Sequence, residues 1–219
     1  MKRVLTKNKS RNLSPIPDND VYELQRFLES KGYGKFYLGG FFGKNTQSWL
    51  AAFQRDEIIK PALGNLGSET RRRINLMNFP KQKIFHAIAV SLLGVDASPR
   101  DRAPDELACA DTVNMIALEA LGYEIGGTVS TIGLNQAMLS QPDKYRQTKE
   151  VKEGSIVMYP TKGKKVGHVL IADKPVGNTF QLMSNSSSTS LFTRNYTLEQ
   201  ARNYWVKGKG LKEYIYDII

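Results

Sequence analysis

Apolar residues recur at helical spacing through the first part of the chain and alternate with polar ones through the last. Val21, Leu24, Phe27 and Leu28 form one stripe, which predicts a helix opened by Asp18 or Asp20 and ended by Gly32. Trp49, Leu50 and Phe53 form a second stripe behind Thr46, a residue suited to an N-cap. Ile74 and Met77 close a short third helix that Ser68 or Thr70 opens, and the glycines at 34, 39, 40, 43, 64 and 67 mark the loops between. Beyond residue 80, Ile84, Phe85, Ile88, Ala89 and Leu92 share one helix face, stopped by Gly94. A polar turn with Pro99 and Pro104 follows. Asp105 then caps a helix from Glu106 to Leu121 with Val113, Ile116, Ala117 and Leu121 as its buried stripe. A looser helix is expected over 133–139.

After residue 150 the period shortens to two. Strands are expected over 155–159, 164–173 and 179–186, with PVGN as a hairpin loop between the last two, and LKEYIYDII alternates as a final strand. TLEQARNYWVKG reads as a short helix capped by Thr197. Helices first and an antiparallel sheet after define an α+β chain. Its expected parts are a basic flexible tail over 1–17, a small all-α three-helix domain over 18–78, and an α+β domain over 79–219.

Charge narrows the partners. Lys+Arg number 31 against 21 Asp+Glu, a formal net charge of +10. That suits nucleic acid, an anionic membrane face or an acidic wall polymer, and no basic-aromatic motif favours nucleic acid. No apolar run approaches the ~20 residues of a membrane span, and no apolar core follows the basic start, so neither membrane insertion nor a secretory signal is expected. With one cysteine there is no intrachain disulfide. With two histidines, of which His86 sits mid-helix in a structural position, no metal site and no cofactor is expected.

The single cysteine carries the candidate chemistry. Cys109 lies in the first helical turn after the Asp105 cap, where the helix dipole favours thiolate. His168 opens a facing strand and can serve as its base. A third polar group must hold the imidazole; Asn185, Ser184 and Gln181 on the strand after the hairpin are the candidates. Met115, Met138, Met158 and Met183 are expected to fill the core.

Two resemblances bear on this pattern. Val21-x-x-Leu24-Gln25-x-x-Leu28, Gly32-Tyr33, Gly40-x-Phe42-Gly43-x-x-Thr46, Phe53-Gln54 and Gly64-x-x-Gly67-x-x-Thr70 together resemble the helical peptidoglycan-binding domain. Gly39-Gly40 stands where that family usually has Asp-Gly. Phe41, at the variable loop position, is a candidate to stack on a sugar ring or simply to cover loop backbone. The second part resembles the NlpC/P60 and CHAP cysteine peptidases, which implies a papain-like domain. The similarity lies in Leu93-Gly94, Cys109 opening a helix that ends Leu121-Gly122-Tyr123, Glu153-Gly154-Ser155-Ile156, and Gly167-His168-Val169. Ala108 and Ala110-Asp111 depart from the flanks common in one branch.

The resemblance implies Cys109 as nucleophile and His168 as base of a peptidoglycan endopeptidase or N-acetylmuramoyl-L-alanine amidase, with Asn185 holding the imidazole. With its modular plan, the chain looks like a phage endolysin. A monomer is expected, made in the host cytoplasm and released to the wall through a holin-type pore. Two alternatives are a wall glycosidase using Glu106 and Asp111, and a non-catalytic wall-binding virion or structural protein.

Overall fold

A computed structural model describes residues 19–35, 40–98, 107–185 and 189–219. The basic tail, Asp18, Gly39, Pro99, Pro104, Asp105 and Glu106 lie outside the described residues. The chain divides into two compact units, Met1–Ile74 and Asn75–Ile219, a boundary four residues before the one read from sequence.

The first unit holds helices α1 (Asn19–Ser30) and α2 (Lys44–Asp56) and most of α3 (Ser68–Asn78). Their stripes converge. Leu24, Leu28, Phe42, Leu50 and Phe53 are buried, with Phe27 edge-on to Phe53 at a centroid distance of 5.3 Å. Two buried glutamines clasp the loops in the same way. Gln25 accepts from the Gly40 N–H at 3.2 Å and donates to the Phe41 carbonyl and to Thr46 Oγ1, both at 3.0 Å. Gln54 accepts from the Gly64 N–H at 2.8 Å and donates to the Asn65 carbonyl at 2.7 Å and to Thr70 Oγ1 at 2.9 Å. Each loop is therefore tied through a side-chain amide. Thr46 is not the N-cap that the sequence suggested: α2 opens after Gly43, and Thr46 sits inside it as part of the clasp.

The second unit is α+β. It runs α4 (Lys81–Ser91), α5 (Ala108–Leu121), α6 (Thr131–Leu139), β1 (Tyr145–Thr148), β2 (Ile156–Tyr159), β3 (His168–Val176), β4 (Thr179–Asn185), β5 (Phe192–Thr197), α7 (Leu198–Ala201) and β6 (Tyr214–Ile218). A π-helical stretch, Arg202–Gly208, continues α7. The six strands pair antiparallel in the order β1-β6-β2-β3-β4-β5.

The pleat divides the sheet into two faces. Ile156, Met158, Val169, Ile171, Met183 and Phe192 share a core with Cys109, Val113, Ile116 and Ala117 of α5 and with Phe85 of α4. Val157, Tyr159, Leu170, Ala172 and Leu182 face the other way, into a core with Leu198, Ala201 and Trp205.

Two strands escaped the sequence reading. β1 is mostly polar, and β5 reads Phe-Thr-Arg-Asn-Tyr-Thr, without the alternation that flags a strand. The backbone pairing of their neighbours recruits them.

Side chains lock the layers together. His86 of α4 meets the buried Asp173 of β3 at 3.2 Å, and Arg194 of β5 donates to the other carboxylate oxygen at 2.6 Å. Before β2, Gly154 has φ +80°, and a Cβ there would come within 2.8 Å of the Gln82 carbonyl oxygen. Ser155 closes that turn: its hydroxyl accepts from the Lys152 N–H at 3.0 Å and donates to the buried Asp217 at 2.7 Å.

Candidate active site

Cys109 is the second residue of α5, and its thiol is buried. Three backbone N–H groups lie toward the thiol: that of Val169, where β3 begins, and those of Ala110 and of Cys109 itself. These three amides favour thiolate. Burial outweighs them and pushes the thiol up. Burial thus opposes the thiolate that the helix dipole favours and shifts the balance toward the thiol.

His168 immediately precedes the residue that contacts the sulfur, but its side chain takes the opposite face. Its cross-strand partner is Tyr159, whereas Val169 pairs with Met158 beside the thiol. The imidazole stacks on Trp205 at 4.9 Å with the planes 8° apart, and Trp205 stacks in turn on Tyr159 at 5.3 Å. The face-to-face thiol and imidazole that the sequence suggested are therefore not what the pleat delivers. The two groups meet one end of β3 from its two sides. Gly167 makes that end narrow, since a Cβ there would overlap the Tyr159 carbonyl oxygen.

The group that holds the imidazole is Ser184, which the sequence offered only as a rival. Its Oγ lies 2.9 Å from His168 Nε2 and 3.0 Å from Asn195 Oδ1, and Asn195 Nδ2 donates to it at 2.9 Å. Counting protons fixes the tautomer. Ser184 has one hydroxyl hydrogen. All three bonds form together only when that hydrogen goes to Asn195 Oδ1 and His168 donates from Nε2. Nδ1 then carries the lone pair, as a base requires. Burial first, and the Lys209 ammonium second, push His168 down to about 4, so it is neutral at pH 7. Lys209 is held by the Val166 carbonyl at 3.0 Å and lies over the Tyr204 ring.

Asn185 does not reach His168. It pairs with Phe192, whose side chain belongs to the thiol's face. Adjacent residues of a strand point to opposite faces, so the step from Ser184 to Asn185 crosses the sheet. Gln181 is also removed from the imidazole; it donates to the Tyr196 carbonyl at 2.8 Å.

Asp111 is buried and accepts from the Ser98 hydroxyl at 2.7 Å, tying the segment before α5 to the helix. In the first unit, Phe41 is half-buried, and its carbonyl is bound by Gln25 and by the Gly43 N–H. Asn195 and Trp205 were invisible as site residues, because they act only once β5 and the π-helical stretch are in place.

Among the described residues no group of three or more His, Cys, Asp or Glu side chains is arranged to hold a metal ion, and no helix is long and apolar enough to cross a membrane. No family model, curated protein or solved structure matches this chain.

Proposed function

We propose that this chain hydrolyses an amide bond of bacterial peptidoglycan, with Cys109 as nucleophile and His168 as base. The observation that carries the reading is that both groups attach to the start of β3. The Val169 N–H lies toward the Cys109 sulfur, and the preceding residue is His168, whose Nε2 is committed to Ser184 and whose Nδ1 carries the lone pair.

A substrate carbonyl entering at this strand end has the sulfur on one side and the imidazole on the other. The thiol proton passes to His168 Nδ1, directly or through one water, as sulfur bonds the carbonyl carbon and the C=O pair moves to oxygen. Collapse of that oxyanion breaks the C–N bond, and the amine leaves with the proton from Nδ1. Water then hydrolyses the thioester to a carboxylate and restores the thiol. Because thiol and imidazole both rest neutral, His168 acts as a general base during attack, and no ion pair stands ready beforehand.

The clasped helical unit serves as the wall-binding module, holding the second unit at high local concentration on a solid substrate. Phe41 is its candidate sugar contact. On this reading the chain is endolysin-like: a monomer that reaches the wall through a holin-type pore and takes no cofactor.

Purified wall supplies the test. Cys109→Ala is expected to lower the release of new free amines by at least ~1,000-fold while leaving pull-down on wall unchanged. Undiminished release rules out the thiol mechanism, and new reducing ends in place of amines point to a glycosidase. The opposite faces taken by Cys109 and His168 favour a second reading, a non-catalytic wall-binding protein. Wild-type chain that binds wall and releases neither amines nor reducing ends selects it.

A further inference from the structure

Asn185 poses a separate problem. It is 4 % exposed, and among the described residues neither its Nδ2 nor its Oδ1 has a hydrogen-bond partner. Other buried polar atoms also lack partners, among them Thr112 Oγ1 and Asn114 Oδ1. Of the two side-chain amides among these described residues, Asn114 still donates to the Thr128 carbonyl at 2.8 Å, whereas Asn185 uses neither its donor nor its acceptor. A buried polar group left unpaired costs about 1–3 kcal/mol, and a leucine would fill a similar volume without that cost. An amide kept here serves something outside the folded chain.

Its position says what. Asn185 pairs with Phe192, which lies in the same core cluster as Cys109. The β3–β4 register pairs Ile171 with Met183; continued two residues, it brings Asn185 opposite Val169, the residue whose N–H lies toward the Cys109 sulfur. The unused amide and the thiol therefore share one face at one strand end.

We propose that Asn185 is a substrate-binding residue of the Cys109 site: its Nδ2–H donates to the carbonyl oxygen of the scissile amide and, more strongly, to the oxyanion formed as sulfur adds. Oδ1 is left to accept from a substrate N–H, so the ligand class is an acyl-amino-acid amide bound through its backbone. This role differs from orienting the histidine, which belongs to Ser184. It rests on Cys109 being the nucleophile, and the test separates the two claims.

N-acetyl-L-alaninal is the probe. Its aldehyde adds reversibly to a thiol, and the adduct oxygen occupies the oxyanion position. The readout is protection of Cys109 from iodoacetamide in the full chain. In wild-type protein the aldehyde protects the thiol. In Asn185→Leu, half-protection is expected to need at least ~10-fold more aldehyde, in line with the loss of one oxyanion donor. The alkylation rate without aldehyde stays within about two-fold and Tm is unchanged or higher, since an unsatisfied amide has been removed. Asn185→Ala answers the same question if leucine does not fit. Equal protection in wild type and variant overturns the proposal while leaving the nucleophile intact. So does a fall in Tm with Asn185→Leu that Asn185→Ala repeats, because the amide is then structural. A wild-type thiol that the aldehyde never protects, in a chain that releases no amines from wall, removes the nucleophile reading and this inference with it.

Discussion

At His168, burial and the Lys209 ammonium act in the same direction, and stability must follow pH accordingly. The folded chain protonates this ring at about 4 and the unfolded chain near the ordinary 6.5. Between those values the unfolded state holds more protons, so stability is complete above pH 6.5 and falls as pH drops toward 4. The loss is on the order of 2–3 kcal/mol. His168→Gln is expected to flatten the slope of Tm against pH over that window, measured by thermal melts from pH 4 to 7.5. On the proposed mechanism, activity follows the same ring. The acid limb of kcat/KM is expected near pH 4–5 rather than 6.5. Ser184→Ala, which frees Nε2 and with it the tautomer, is expected to lower kcat by ~10- to 100-fold. Asn185→Leu leaves the acid limb in place, because Asn185 does not touch the imidazole. Cys109 and His168 were legible in sequence as chemistry-bearing types at element starts. The choice of Ser184 over Asn185 was not, because neighbouring residues on a strand differ only in face, and face depends on register.

At the scale of elements, capping and turn chemistry were written locally. Thr197 accepts from the Gln200 N–H while the Gln200 side chain accepts from the Thr197 N–H, a full capping box. Thr197→Ala is expected to cost about 1 kcal/mol, read as a fall of about 2–4 °C in Tm. The glutamine clasps are local in pattern but tertiary in effect. Gln54→Ala leaves the Gly64 N–H without its partner and removes one donor from the Thr70 hydroxyl and one from the Asn65 carbonyl, which keeps the Gly67 N–H. Faster hydrogen exchange at Gly64 is expected, confined to residues 40–74. The helical stripes, Gly122 ending α5 and the β3–β4 hairpin could all be read from sequence, because each depends on periodicity or on a single glycine. The strands β1 and β5 could not, because their residues follow from the edges they complete.

For the whole molecule, charge is the property that acts at a distance. A net charge of +10 favours binding to an anionic wall, and salt screens it. Lys162, Lys164 and Lys165 are exposed on the loop before His168, Lys207 is exposed in the π-helical stretch, and Lys209 reaches the Val166 carbonyl of that loop. Raising salt from ~50 to ~500 mM, which shortens the screening length several-fold, is expected to weaken pull-down on wall that retains its anionic polymers more than on stripped peptidoglycan. Equal salt sensitivity on both assigns the charge a role in contacting the glycan and peptide themselves.

The sequence by itself determined the helical three-element unit, the α+β order of the second unit and the residue types at the centre of the site. Periodicity, glycine placement and side-chain chemistry are properties of short segments. Tertiary structure alone decided which faces those residues occupy. It put Cys109 and His168 on opposite faces of the sheet, gave the imidazole to Ser184 and Asn195, and left Asn185 without a partner among the described residues on the face that carries Cys109. A one-residue step along a strand moves a side chain across the sheet, and only the paired register says which step was taken.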